Sequence, residues 1–165
     1  MRRVDLTWDE VEDAARVGLR RQLHSLEASR KDTAGAESEN GYLYHIEGAI
    51  GEAAFAKGVG VEWDHSVDKF CVPDVAGVHV RTRSKDWYDL IIRPGRDDPS
   101  LPYALVTGSV SVNKRPEYKL WGWIYGHEAE ERGSLQNYGG RGVAWFIPIR
   151  LLRPIETVPF RESQN

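Results

Sequence analysis

The sequence is poor in the residues that would cross-link a small protein or anchor it in a membrane. Its 165 residues include one methionine and one cysteine, Cys71. A single cysteine excludes an internal disulfide framework and is typical of proteins in a reducing compartment. No apolar run reaches the ~20 residues that a transmembrane helix needs. We therefore expect a cytoplasmic protein whose residues 1–165 form one domain, because this length suits one hydrophobic core.

The sequence also has little net charge. The formal value of −3 argues against a protein that coats nucleic acid by charge alone. It does not exclude a nuclease, because carboxylates that hold a metal make the total more negative. Residues 77–96 contain five Arg or Lys against two acidic residues, a local excess of three positive charges. This excess is typical of a solvated strand face, and it also lies beside the candidate site described below.

Two helices are predicted in the N-terminal third of the chain. Thr7 and Glu10 have the spacing of a capping box and predict a helix over about residues 8–30. Apolar residues continue it at helical spacing: Val11, Ala15, Leu19, Leu23 and Leu26. A second helix to about residue 57 contains three glycines, each costing up to ~1 kcal/mol relative to Ala. Its Gly and Ala residues would let this helix lie close against a sheet.

The rest of the chain has the alternation and turn signals of β-structure. Strands are predicted over six segments: 67–72, 78–83, 87–93, 103–112, 118–125 and 143–149. A helical turn is predicted over residues 127–132, a loop over 134–142 and a frayed tail over 156–165. Helices followed by a run of strands favour an α+β fold.

Four residues have much of the layout of one compact solution to phosphodiester hydrolysis. That reaction needs divalent metal ions, an activated water and a cation beside the phosphate, and carboxylates are the preferred ligands of Mg²⁺. Glu52 lies on the small-residue helix, and Asp74 follows Pro73 at a turn. His79 and Arg81 are an i, i+2 pair on the next strand, so their side chains face the same way.

These segments resemble the core of the PD-(D/E)XK nuclease superfamily, and its phage-type members in particular. The resemblance covers about residues 46–126. It is carried by Ile50-Gly51-Glu52-Ala53-Ala54-Phe55, Pro73-Asp74, Val78-His79-Val80-Arg81-Thr82 and Leu120-Trp121-Gly122-Trp123-Ile124. It implies a restriction-endonuclease-like fold, with a mixed central sheet and flanking helices. The implied function is that of a phage-encoded, metal-dependent nuclease acting on DNA.

The resemblance also implies a role for each candidate residue. Glu52 would be the helix-borne acid and Asp74 the central ligand of Mg²⁺ or Mn²⁺. His79 stands where the motif has Asp or Glu; it would complete the metal ligands and favours a transition metal. Arg81 stands where the motif usually has Lys, and it would hold the phosphate although it is a poor base.

The two altered positions keep a second interpretation open. The chain could have the nuclease fold and bind nucleic acid or a host protein without cutting. Each candidate also has a structural interpretation: Glu52 as a surface helix residue, Asp74 as a turn former, His79 as a polar residue of a strand face and Arg81 as a structural residue rather than a phosphate ligand. A homodimer is compatible with the sequence, since many nucleases of this fold dimerise to cut both strands.

Overall fold

The chain forms helices and two β-sheets, so the predicted α+β class is confirmed. The structure, a computed structural model, describes residues 1–28, 41–67, 72–111, 114–137 and 142–160. Its helices are α1 (Trp8–Glu27), α2 (Gly41–Val59) and the short α3 (Ala129–Arg132). Its strands are β1 (Arg2–Asp5), β2 (His79–Arg83), β3 (Leu90–Ile92), β4 (Pro102–Gly108), β5 (Glu117–Tyr125), β6 (Ser134–Gln136) and β7 (Ala144–Ile147). None of the described helices is long and apolar enough to cross a membrane.

The larger sheet is mixed and has the strand order β1-β5-β4-β2. β1 and β4 pair with β5 in antiparallel fashion, whereas β2 pairs with β4 in parallel. The smaller sheet has the order β3-β7-β6, and both of its pairings are antiparallel. β2 is therefore an edge strand of the larger sheet, and the candidate residues His79 and Arg81 lie on it.

Alternate residues of β4 build a hydrophobic core on each face of the larger sheet. Ala104 and Val106 belong to the core that the sheet forms with α1 and α2. Tyr103 and Leu105 point the other way, into a second core that includes residues of β3 and β7. All four side chains are fully buried. Because side chains alternate along a strand, residues of β2 are likewise divided between the two faces.

Helix α1 begins as the sequence predicts, but it buries a different stripe. Thr7 Oγ1 accepts the Glu10 amide at 3.2 Å, and Glu10 Oε2 accepts the Thr7 amide at 2.7 Å, which completes the capping box. The stripe against α2 and the sheet is formed by Val11, Ala14, Val17, Gly18 and Gln22. The leucines of the predicted stripe, Leu19, Leu23 and Leu26, are between 41% and 51% exposed. The helix was predicted correctly, and its inner face was predicted only at Val11, which is buried, and at Ala15, which is partly buried against the core.

The small residues of α2 allow close packing at most of the expected positions. A Cβ on Gly51 would lie 1.8 Å from Thr82 Oγ1 of β2, and one on Gly58 would lie 2.6 Å from Leu120 of β5. The backbone of α2 is also close to α1, since a Cβ on Gly18 would meet the His45 carbonyl oxygen at 2.5 Å. Gly48 is the exception, because a Cβ there would meet no atom of the described residues within 4 Å.

Strand β5 contains a bulge that accounts for its Trp-Gly-Trp sequence. Leu105 pairs with Gly122 and Val106 with Leu120, so Trp121 is the extra residue. A Cβ on Gly122 would lie 2.3 Å from the Arg153 carbonyl oxygen, where the C-terminal segment crosses the strand. The bulge lets Leu120 and Trp123 share one core although they are three residues apart.

Several boundaries differ from the sequence-based prediction. β1 was not predicted, and β6 occupies the start of the predicted loop over 134–142. The predicted frayed tail is ordered over its first residues, because a 3-10 turn spans Ile155–Thr157 and Val158 is buried. Cys71 and most of the predicted strand 67–72 lie outside the described residues.

Candidate functional site

Asp74 begins a tight turn that leads into β2. Val75 and Val78 form an antiparallel bridge, and Ala76 and Gly77 between them have φ values of 46° and 86°. Positive φ at both central residues is the type I′ pattern, which glycine accommodates without strain. The Asp74 carboxylate accepts the Val80 amide at 2.7 Å, so it satisfies a backbone donor of the edge strand. Asp74 thus makes the contact of a turn former, which was the structural alternative to its predicted role as a metal ligand.

His79 and Arg81 share one face of β2, as their spacing predicted. The His79 ring stacks on Tyr103 of β4 with 5.0 Å between centroids and 18° between planes. The Arg81 guanidinium lies 5.1 Å from the centroid of the same ring. His79 Nδ1 is 3.5 Å from Asp74 Oδ2, which places the imidazole between the carboxylate and Tyr103.

Arg81 is held by an acid that the sequence analysis did not single out. Its Nη2 lies 3.0 Å from Asp97 Oδ1, and the Asp97 side chain is only 8% exposed. Asp97 Oδ2 also accepts the Arg93 amide at 2.8 Å, so both carboxylate oxygens are occupied. Arg81 Nε is buried and has no hydrogen-bond partner among the described residues. The guanidinium is therefore bound to the protein itself at the position where phosphate binding was predicted.

Glu52 lies on the opposite face of the larger sheet from His79 and Arg81. Its helix packs on the Thr82 face of β2, and Val80 of that face lies in the same core as α2. The side chains of His79 and Arg81 contact Tyr103, which belongs to the other core. The expected convergence of all four candidates on one pocket is therefore not observed. Asp74 interacts with candidates on both faces of the sheet. Its carboxylate lies 3.5 Å from His79 on one face, and its charge acts on Glu52 on the other.

The Glu52 carboxylate is bound by Arg21 of α1. Arg21 Nη1 and Nη2 donate to the two carboxylate oxygens at 2.6 Å and 2.8 Å, and Trp63 Nε1 donates to Oε2 at 3.2 Å. Arg21 Nε donates to the Ser66 carbonyl oxygen at 2.9 Å. The side chains of Arg21 and Glu52 are 18% and 6% exposed, so this is a largely buried, bidentate ion pair.

Burial and charge act in opposite directions on this pair. Burial favours the neutral acid and, together with the charge of Asp74, raises the pKa of Glu52 to about 7 against the pull of Arg21. Burial disfavours the charged form of Arg21, but the hydrogen bonds and charge of Glu52 outweigh it and raise the pKa of Arg21. The raised pKa of Glu52 favours the neutral acid, whereas the raised pKa of Arg21 favours the charged guanidinium. We assign the ionised pair, because both oxygens of Glu52 accept hydrogen bonds from a guanidinium that stays protonated.

The described residues, as placed, do not fit a metal centre. No group of three or more His, Cys, Asp or Glu side chains in this part of the chain is arranged to hold a metal ion. Both oxygens of Glu52 contact a guanidinium, and a divalent cation placed there would meet like charge at short range. Asp74 is engaged by the Val80 amide, and His79 lies on the other face of the sheet from Glu52.

Comparisons with family models, curated proteins and solved structures gave no match. The similarity to the PD-(D/E)XK superfamily therefore stays a prediction from the four short segments that carry it. The structure adds residues of the site that lie outside those segments or were not singled out in them: Arg21, Trp63, Asp97 and Tyr103.

The sequence contains a pattern from which the position of Arg21 on a buried helix face could have been predicted. Arg21 follows Ala14, Val17 and Gly18 at the spacing of one helix face, so it is a charged residue on the buried stripe of α1. A charge on such a stripe needs a partner of opposite sign. Asp97 offers no comparable signal, because it lies outside the regular elements.

Proposed function

We propose that this protein is a restriction-endonuclease-like module that binds nucleic acid without metal-dependent cleavage. The observation that carries the proposal is the bidentate contact of Arg21 with Glu52, which occupies both oxygens of the acid that the motif assigns to the metal. The mixed four-stranded sheet, with α1 and α2 packed on one face, supports the fold part of the proposal.

The remaining members of the motif support the same interpretation. His79 replaces an acid and stacks on Tyr103, so it contributes no negative charge toward a metal. Arg81 replaces lysine and is paired with Asp97. A nuclease would need these groups released and rearranged, whereas a binding module needs them only as a rigid scaffold.

Nucleic acid is the proposed ligand because positive charge remains on the surface next to this scaffold. Arg81 of the basic segment is neutralised by Asp97. Arg83, by contrast, donates its hydrogen bond to the Asp89 backbone carbonyl at 3.2 Å rather than to a carboxylate. Lys85 follows at an exposed position. Cationic side chains at an exposed sheet edge are suited to phosphate contacts, whose affinity falls as salt releases the electrostatic gain.

The test combines binding and cleavage on the same substrates. Fluorescence anisotropy with labelled single-stranded DNA, duplex DNA and RNA, over a range of salt concentrations, should give binding that weakens as salt rises. Gel assays with EDTA, Mg²⁺ or Mn²⁺ should show intact strands in all conditions. Metal-dependent cleavage that Asp74→Asn removes would overturn the proposal in favour of an active nuclease, and the absence of binding to every substrate would also overturn it.

A metal-dependent nuclease is the second candidate, and one observation favours it. The charge of Asp74 acts on Glu52 and on Arg21. Asp74 and Glu52, the two acids of the predicted motif, therefore interact electrostatically. The variant His79→Glu restores the acid that the motif expects. Cleavage by His79→Glu alone would mean that the scaffold can still hold a catalytic site and that the histidine has switched it off.

A further inference from the structure

The turn after β2 presents an exposed indole beside basic groups. Trp87 is 73% exposed, which makes it the most exposed large apolar side chain among the described residues. Tyr88 next to it is 37% exposed and meets Trp87 edge to face, with centroids 6.1 Å apart and planes at 72°. We call Arg83, Lys85, Trp87 and Tyr88 the Trp87 platform.

The platform carries positive charge close to its aromatic rings. The Arg83 guanidinium lies 4.7 Å from the centroid of the Tyr88 ring, within the range of a cation–π contact. Lys85 is exposed two residues before Trp87. The charge of Asp89 acts on Arg83, and the Asp89 backbone carbonyl accepts a hydrogen bond from the guanidinium. The surface thus combines stacking area with cations.

The turn is anchored to the larger sheet, which holds the platform in place. The Tyr88 amide donates to the Lys85 carbonyl oxygen at 3.1 Å and closes the turn. Asp86, inside the turn, accepts from Thr107 Oγ1 at 2.7 Å and is also bound by Lys119. Thr107 and Lys119 belong to β4 and β5. The acid within the turn is therefore neutralised by the sheet, while Trp87 is exposed to solvent.

An exposed indole flanked by cations has the chemistry of a stacking site for an unpaired base. Base–aromatic stacking tolerates any base, and nearby Lys and Arg contact the phosphates. A duplex offers no open base face for stacking except at its ends, so single strands suit this surface better. Resting on the proposed function above, we propose that the Trp87 platform binds single-stranded nucleic acid by stacking a base on Trp87, with Lys85 and Arg83 beside the phosphates.

The experiment measures the affinity of the full chain for a labelled oligodeoxyuridine, the matching oligouridine and a blunt duplex. Trp87→Ala should weaken binding to the single strands by about 5- to 150-fold, which corresponds to the usual effect of removing one stacked base contact. Trp87→Phe should retain part of the affinity. Lys85→Glu should weaken binding and reduce its dependence on salt. The two single-stranded ligands then show whether the 2′-hydroxyl matters.

Trp8→Ala is the matched control, because Trp8 is another exposed tryptophan, at 57%, at the start of α1. It should bind single strands as the wild type does. If the wild type binds but Trp87→Ala loses no more affinity than Trp8→Ala, the platform proposal is overturned and the proposed function stands. If the wild type binds none of the three ligands, both are overturned. Equal loss of duplex and single-strand binding in Trp87→Ala would overturn the stacking mode.

Discussion

Arg21 is the residue whose contacts most change the interpretation of the site. Its guanidinium lies between α1 and α2 and neutralises Glu52. The charges of Asp64 and Asp74 also act on it and raise its pKa. The protein thus supplies its own cation beside Glu52 and Asp74, the two acids that the resemblance assigns to a metal. Because the pair is largely buried, its two members depend on each other: either one alone would be an uncompensated charge in a poorly solvated place.

We expect Arg21→Met to lower the free energy of unfolding by about 3–5 kcal/mol, because it leaves the Glu52 carboxylate buried without its cation. The double variant Arg21→Met/Glu52→Leu should recover most of this loss, since apolar groups of similar size can replace a buried pair. Urea denaturation followed by circular dichroism measures both.

Arg16→Met is the control for the loss of an arginine from α1. Arg16 pairs with Glu12 at the surface, where their side chains are 71% and 63% exposed. Its removal should change the free energy of unfolding by less than ~1 kcal/mol, because exposed ion pairs contribute little. An Arg21→Met variant as stable as Arg16→Met would show that the buried pair does not hold α1 and α2 together.

Among the elements, α2 shows how closely a small-residue helix can approach a sheet. Its glycines are not equivalent, although they look alike in the sequence. Gly51 faces Thr82 of β2 at a distance that leaves no room for a methyl group, whereas Gly48 has no described residue within reach of a Cβ. Thr82 Oγ1 is buried at this contact and has no hydrogen-bond partner in the described part of the chain, which costs stability.

The two glycines therefore predict opposite effects of the same substitution. Gly51→Ala should destabilise the protein by about 1–3 kcal/mol, because a Cβ would overlap the Thr82 side chain. Gly48→Ala should stabilise it by about 0.5–1 kcal/mol, since alanine is the better helix former and meets no neighbour. Thermal and urea denaturation of the two variants test this pair.

Adding Thr82→Ala to Gly51→Ala should restore part of the lost stability, because it removes the atom that a Cβ would strike. The close approach of α2 to β2 would be refuted if Gly51→Ala proved as well tolerated as Gly48→Ala. A double variant no more stable than Gly51→Ala would place the clash elsewhere than at Thr82.

At the scale of the whole molecule, Glu128 links the end of β5 to the C-terminal segment. Its carboxylate accepts from both Nη atoms of Arg153, with one contact at 2.6 Å, and from the Tyr125 amide at 3.1 Å. Arg132 of α3 lies 3.1 Å from it. Arg153 also exchanges backbone hydrogen bonds with Trp123, so one carboxylate stabilises the contact between the sheet, α3 and the C-terminal segment.

The interactions of the Glu128 carboxylate predict that the protein loses stability at low pH. The hydrogen bonds from Arg153, with the Tyr125 amide and nearby cations, lower the pKa of Glu128 from 4.5 to about 2. A lowered pKa means that the stabilisation is complete above pH 4.5 and is lost as the pH falls toward 2. Glu128→Gln should lower the free energy of unfolding at pH 7 by about 1–3 kcal/mol and flatten its decline between these two pH values.

Denaturation curves at intervals between pH 7 and pH 2 measure that decline. Glu130→Gln, on an exposed residue of α3, is the control and should keep the wild-type profile. A Glu128→Gln protein whose stability falls with pH as steeply as that of the wild type would show that the loss of stability at low pH comes from other carboxylates.

The sequence by itself determined the features that depend on a few neighbouring residues. The capping box at Thr7 placed the start of α1, and period-two alternation placed β2. The i, i+2 spacing correctly put His79 and Arg81 on one face, because side-chain direction in a strand follows from backbone geometry alone. The α+β class followed from the order of these elements.

The tertiary structure decided which of these features meet. Arg21 and Glu52 are 31 residues apart and come together only when α1 packs on α2. Glu52 and His79 are separated because helix packing puts one on each face of the sheet. The leucines of α1 form a regular stripe in the sequence, but α2 packs on a different stripe, the one that contains Gly18. The small size of Gly18 lets the backbones of the two helices approach. Such choices depend on contacts distant in sequence, which no local pattern encodes.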